Sequence, residues 1–167
     1  TLLSLKEEGF IEKIGFSIYE PIELDHLLNS FKPDLIQAPY SIFDQRLVTT
    51  GWLSRLIEMD IEVHIRSVFL QGLLLMEPTT RPGKFNSWSN LWDIWDKWLL
   101  DNKISALEAC LAFAMAESNI SRIIVGVENI TQLEEILLAA GTKILEFPKE
   151  LNTTDPNLLN PSNWDLL

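Results

Sequence analysis

One cysteine, Cys110, stands in 167 residues, so the chain can build neither an internal disulfide nor a thiolate metal centre. It sits in the apolar run ALEACLAFAMA, where a thiol reads as a small core residue in a reducing compartment, and a cytoplasmic location is the default expectation. Basic residues are scarce as well, 13 against 24 acidic ones, for a net charge of −11. That balance offers no clustered Lys and Arg for neutralising phosphates, which excludes nucleic acid and anionic membrane surfaces as expected partners. No apolar run approaches the ~18 residues of a membrane-spanning helix, and no charged-then-apolar leader opens the chain. A G-x-G-x-x-G fingerprint after the first strand is also missing, which weakens a doubly wound dinucleotide-binding fold.

What remains is globular: 47% apolar and 22% charged residues predict a single folded domain with a sizeable core. The first residues, TLLSLKEEG, read as the end of a helix with Gly9 past its last turn. With no N-cap before it, the chain is expected to begin inside a helix, as a fragment would. Ile11–Ile18 reads as a strand, Pro21 opens a helix through IELDHLLNSF, and Asp34–Pro39 is the second strand. Leu47–Met59 has helical spacing, and Ile61–Ser67 is the third strand. A loop with prolines and a glycine follows, MEPTTRPGKFNS. Trp88, Trp92, Trp95 and Leu99 then form one apolar helical stripe, suited to packing on neighbours more than to stacking sugars or forming a lid. Ser105 and Glu108 form a capping box, Arg122–Gly126 is a fourth short strand, and Asn129 with Gln132 opens a last helix ending near Gly141. Four strand–helix alternations give an α/β class with parallel strands. Half of a (β/α)₈ barrel and a small doubly wound sheet both fit, and the helix-interrupting start favours the half barrel.

Ile61–Leu74, IEVHIRSVFLQGLL, is the most informative stretch. Ile61, Val63 and Ile65 suit a strand buried on both faces. Ser67 and Gly72 bracket a turn where backbone N–H groups can approach an anion. RSVFLQGLL resembles the seventh-strand segment of the aldo-keto reductases. Three further segments resemble that family in the same order. EEGFIEKIGFSIY is similar to the fifth strand, DLIQAPYSIFDQR to the sixth, and IIVGVENITQLEEIL to the eighth strand and its helix. The resemblance implies a partial (β/α)₈ barrel over residues 1–147, while Pro148, Pro156 and Pro161 make 148–167 an expected irregular tail docked through Trp164.

It also implies a cofactor, NAD(P), and roles for ten residues. Ser17 and Gln37 would hold the nicotinamide carboxamide, with Ile18 standing where the family has Asn. Arg66 stands where an aromatic ring commonly stacks on the nicotinamide, and a guanidinium can also stack. Ser67, Phe69 and Gly72 would line the pyrophosphate, and Gly126, Glu128, Gln132 and Glu135 the adenine end. A carboxylate at Glu128 would repel the 2′-phosphate of NADP and weakly favours NAD.

The family's catalytic Tyr, Lys, Asp and His belong to earlier strands, so the resemblance supplies no catalytic residue and no metal ligand here. Tyr19, Tyr40, His26 and His64 lack the matching surroundings: His26 reads as a surface residue and His64 as a strand residue. The expectation is the cofactor-binding half of a nicotinamide-dependent oxidoreductase acting on a small carbonyl or alcohol. Two alternatives stand beside it, a non-catalytic nucleotide-binding or regulatory module and an unrelated doubly wound protein. A half barrel would have the missing N-terminal half or a second copy as its partner, and its inner layer, expected to include Ile14, Phe16, Ile36 and Ile65, would be left exposed.

Overall fold

The computed structural model describes residues 1–143 and 146–166; positions 144, 145 and 167, at the ends of the expected barrel unit and tail, lie outside the described residues. Four strands, β1 (Gly15–Ser17), β2 (Leu35–Pro39), β3 (Glu62–Arg66) and β4 (Arg122–Ile123), form one sheet. All neighbours are parallel, and the spatial order is that of the sequence, β1-β2-β3-β4. The helices are α1 (Leu2–Glu7), α2 (Glu23–Ser30), α3 (Arg46–Thr49), α4 (Trp52–Glu58), α5 (Ser89–Asn102), α6 (Ala106–Ala116), α7 (Ile130–Ala139) and α8 (Pro156–Leu159). Sequential parallel order carries the sheet round in one direction, as a barrel wall requires, and has no reversal of the doubly wound kind.

The sheet is covered on one face only, which corrects the expectation of a strand buried on both. Ile14, Ile36, Val63 and Ile65 are buried, Ile36 and Ile65 completely, and Phe16 packs against the same core. These residues therefore belong to the helix-facing layer rather than to an exposed inner one. Alternation decides it, because successive strand residues point to opposite faces. The other face carries Ser17, Gln37, Glu62, His64, Arg66 and Arg122, none of them buried. Ser17, Gln37, His64 and Arg122 are register partners in one row across all four strands. A barrel interior is ordinarily filled by branched apolar side chains; here the corresponding face is mainly polar, with Leu35 and the buried Pro39 of β2 as apolar members.

Local signals explain most elements. At the end of α1 the Gly9 N–H donates to the Lys6 carbonyl and Phe10 N–H to Leu5 O, closing the helix as expected. Ser105 and Glu108 make the reciprocal bonds of a capping box on α6. The Asn129 side chain accepts from Gln132 N–H at the start of α7. The helix expected over Leu47–Met59 is instead two, α3 and α4, because Gly51 takes φ 79° and turns the chain between them. Strands are also shorter than expected: β1 starts at Gly15 rather than Ile11, and β4 ends at Ile123 rather than Gly126.

The tryptophan stripe is packing. Trp95 is fully buried, and Trp92 sits 5.0 Å from Phe43 between ring centroids. Each indole N–H is used, Trp92 on Phe85 O, Trp95 on Leu74 O and Trp88 on Asp155 Oδ2. The loop after β3 is more regular than its prolines suggest, with a 3₁₀ turn at Gly83–Trp88. Arg81 clamps that loop to α5 through two bonds to Asp96 and lies 4.1 Å from the Trp92 ring centroid. The tail, expected to be irregular, forms short helical turns at Lys149–Leu151, Pro156–Leu159 and Pro161–Leu166. Leu151, Leu158 and Leu159 are buried in the main core, and Trp164 meets Phe85 edge-on at 4.9 Å. Burial of these apolar side chains, each contributing ~1.5–3 kcal/mol, is what orders the tail.

Candidate functional site

Parallel strands deliver their carboxyl ends to one rim, and the loops there build the site. Ser17 ends β1, Gln37 lies in β2 and Arg66 ends β3, all on the polar face. The Arg66 guanidinium donates to Ser17 Oγ at 3.3 Å, to Ser67 Oγ at 3.0 Å and to the Ile18 carbonyl at 3.0 Å. Its carbon lies 4.8 Å from the Tyr19 ring centroid. Ser17 Oγ accepts one bond in this arrangement and keeps its own O–H to donate. Ile18 is a different residue from the Asn of the resembled pattern in more than name: its side chain is buried on the helix side, and only its carbonyl reaches Arg66.

After β3 the chain makes a left-handed turn. Ser67 has φ 62°, Leu70 46°, Gln71 55° and Gly72 84°. Left-handed conformation costs an ordinary L residue ~1–2 kcal/mol, so three non-glycine residues there store strain of the kind that collects at ligand sites. Only Gly72 adopts it without penalty. Buried Leu70, Leu73 and Leu74 hold the turn to the core, while among the described residues no backbone carbonyl takes the N–H groups of Phe69, Gln71 or Gly72.

The opposite wall comes from β4 and α7. Past Ile123 the segment 124–128 runs without regular structure. Gln132 then folds back so that its Oε1 accepts from Glu128 N–H at 2.8 Å, while its own N–H is capped by Asn129 at 2.9 Å. α7 buries only Ala139 and leaves Ile130, Leu133, Leu137 and Leu138 exposed.

Between these walls lies a cleft of about 710 Å³, a size that accommodates a sizeable small-molecule ligand. Gln37, Arg66, Ser67, Phe69, Gly72, Gly126, Glu128, Gln132 and Glu135 all line it, which is nine of the ten residues singled out from the sequence. Ser17 does not line it directly but touches it through Arg66. The cleft also has lining residues that the sequence reading did not single out, among them Gln71, Ile124 and Leu107. Gln71 could have been suspected from its place beside Gly72 in the turn, whereas Leu107 arrives from a helix remote in sequence. Tyr19 was set aside as a catalyst, and its position over Arg66 depends on a contact between distant residues.

His26 is exposed on α2 and His64 bonds Glu62 at 2.8 Å. Lys13 and His64 together pull the Glu62 carboxyl from 4.5 down to about 2, the Lys13 bond contributing most. Burial pushes the Tyr40 hydroxyl and the Cys110 thiol well above their ordinary values, so both stay protonated. Among the described residues there is no cluster of three potential metal ligands and no helix long and apolar enough to cross a membrane.

Known proteins resemble this arrangement. The aldo/keto reductase family model matches residues 1–151. Among solved structures, an aldo-keto reductase from Bacillus halodurans, AKR11C1 in its holo form, matches at 22% identity with a TM-score of 0.64 over 86% of this chain and 49% of its own. A glycerol dehydrogenase from Gluconobacter oxydans, AKR11B4, matches at 17% identity and TM-score 0.63 over 86% of this chain and 48% of its own. The thermostable aldo-keto reductase Tm1743, solved with the inhibitor epalrestat, gives 17% identity and TM-score 0.62 over 90% and 50%. No curated protein matches. The chain thus spans about half the length of the structures it resembles, and its four parallel strands are part of a (β/α)₈ barrel wall.

Proposed function

The chain belongs to the aldo/keto reductase family, and from that premise we propose that it is the cofactor-binding half of a nicotinamide-dependent oxidoreductase that passes hydride between NAD(P) and a small carbonyl or alcohol. One observation carries the reading: residues chosen from three separate segments line a single cleft, and Arg66 ties Ser17 of a fourth to it. In it Ser17 and Gln37 orient the nicotinamide, Ser67, Phe69 and Gly72 offer backbone and hydroxyl donors to the pyrophosphate, and Gly126, Glu128, Gln132 and Glu135 hold the adenine end. The cofactor supplies the hydride chemistry, and the protein supplies binding and orientation. Glu128 at the ribose end favours NAD, since a carboxylate repels a 2′-phosphate.

The proton required at the substrate oxygen has no donor assigned in this chain. We assign that group to the other half of the barrel, which in this reading closes against β1 and β4. A buried free thiol suits a cytoplasmic setting. The test is NADH oxidation with a reactive aromatic aldehyde, first with this chain and then with an added N-terminal half from a family member. The chain alone should be silent, because losing a positioned acid costs ~10²–10⁴-fold and an open site adds misorientation. Activity of the chain alone overturns the division of roles. Silence of a folded complex favours a non-catalytic nucleotide-binding module.

A further inference from the structure

We propose that Arg66 sets the redox preference of the cleft, favouring a neutral reduced nicotinamide over its cationic oxidised form. This rests on the reading that Ser17 and Gln37 hold the nicotinamide end. Three other arginines, Arg46, Arg55 and Arg81, each pair with a carboxylate. Arg66 takes part in none of the ion pairs among the described residues. Its acceptors are two hydroxyls and a carbonyl, from Ser17, Ser67 and Ile18, and the Tyr19 ring beneath it is uncharged. An aromatic face attracts a cation without neutralising it. A full positive charge is therefore held in place by three bonds, half-buried on the wall of the cleft, in a chain of net charge −11.

The position matters because Ser17 is shared. Whatever Ser17 and Gln37 bind lies against the same guanidinium. Oxidised and reduced dinucleotides have the same adenosine and pyrophosphate and differ by one hydride, whose loss leaves the ring with a unit positive charge. Contacts to the shared adenosine and pyrophosphate cancel in the ratio of their affinities, and the Arg66 charge does not; the carboxylates of the cleft, Glu128 and Glu135, belong in this reading to the distant adenine end. One pair of like charges at a half-exposed site shifts that ratio by about tenfold. The cleft is thereby biased toward taking up reduced cofactor and letting go of oxidised cofactor, the direction of carbonyl reduction.

The experiment is calorimetric titration of the full chain with NADH, NAD⁺ and ADP, repeated for Arg66→Gln and Arg66→Lys. The unmutated chain should prefer NADH over NAD⁺, Arg66→Gln should reduce that preference about tenfold while ADP is still bound, and Arg66→Lys should retain it. Raising the salt concentration should narrow the preference in the unmutated chain, which tests the charge without any substitution. An NADH/NAD⁺ ratio indifferent to both Arg66→Gln and salt, with ADP still bound, overturns the inference and leaves the cofactor reading standing. Failure of a folded chain to bind ADP or either dinucleotide overturns both.

Discussion

Glu128 shows how much a single side chain decides. It lines the cleft, exposed beside the start of α7 with its N–H held by Gln132, and it takes part in none of the ion pairs among the described residues. Glu128→Arg is expected to shift preference from NAD toward NADP by ~1–3 kcal/mol, the scale of a partly exposed specificity contact. Fluorescence titration with both cofactors checks it, and tighter NADP binding by the unmutated chain would sink the argument. Glu62 makes a second case, on the polar sheet face. Its carboxyl is depressed from 4.5 to about 2 by Lys13 and His64, so the stability it contributes is complete above pH 4.5 and is lost as pH falls toward 2. Thermal melts between pH 5 and 2 should show a shallower acid slope for Glu62→Gln than for the unmutated chain; equal slopes would assign the acid sensitivity elsewhere. Residue roles were legible where partners are near in sequence. Asn129 with Gln132 and Ser105 with Glu108 are three positions apart, and both pairs are as read. The bond from Arg66 to Ser17 spans 49 positions, and no local pattern encodes it.

Among the elements, β1 illustrates a steric rule that spacing hides. A Cβ built on Gly15 would lie 2.4 Å from Leu35 Cγ and 2.8 Å from the Leu35 carbonyl. The glycine is there because the neighbouring strand fills the space a side chain would need. Gly15→Ala is expected to cost ~1–3 kcal/mol, the usual penalty for overpacking, measurable as a lower urea midpoint with an unchanged m-value. A neutral result would mean that Leu35 swings aside freely. Two other elements show why reading from periodicity has limits of kind. Apolar spacing continues straight across Gly51 and predicts one helix, whereas the positive φ of Gly51, which spacing does not encode, divides it into α3 and α4. In β3, by contrast, Glu62, His64 and Arg66 alternate with Val63 and Ile65, and that period of two already announced a one-sided strand. Attention to the branched residues alone obscured it.

At the scale of the whole molecule, the sheet has an apolar face under helices, a polar face left open, and two edge strands with unpaired backbone. α1 exposes Leu2, Leu3 and Leu5, and α7 exposes Ile130, Leu133 and Leu137. Apolar helix faces beside open sheet edges favour association. Light scattering at micromolar concentration is expected to show species larger than a monomer, or a defined complex when an N-terminal half is supplied. A stable monodisperse monomer would count against closure at these edges. The α/β class and the partial barrel were readable because four collinear segments each carry their own local pattern. The polarity of the open face was harder, since it depends on how every strand is rotated at once.

The meagre burial of α7 has a further consequence for hydrogen exchange. β2 and β3 are each paired on both sides, and their amides should open only with the whole structure, whereas α7, whose one buried residue is Ala139, should open by itself at far lower cost. The cleft therefore has one stiff wall and one soft wall. A ligand that reaches from Gln37 to Gln132 acts as a strut between them, and part of its affinity goes into ordering α7 rather than appearing as binding. Protection gained on adding NADH should fall mainly on residues 128–139, leaving the amides of β2 and β3 as slow as before.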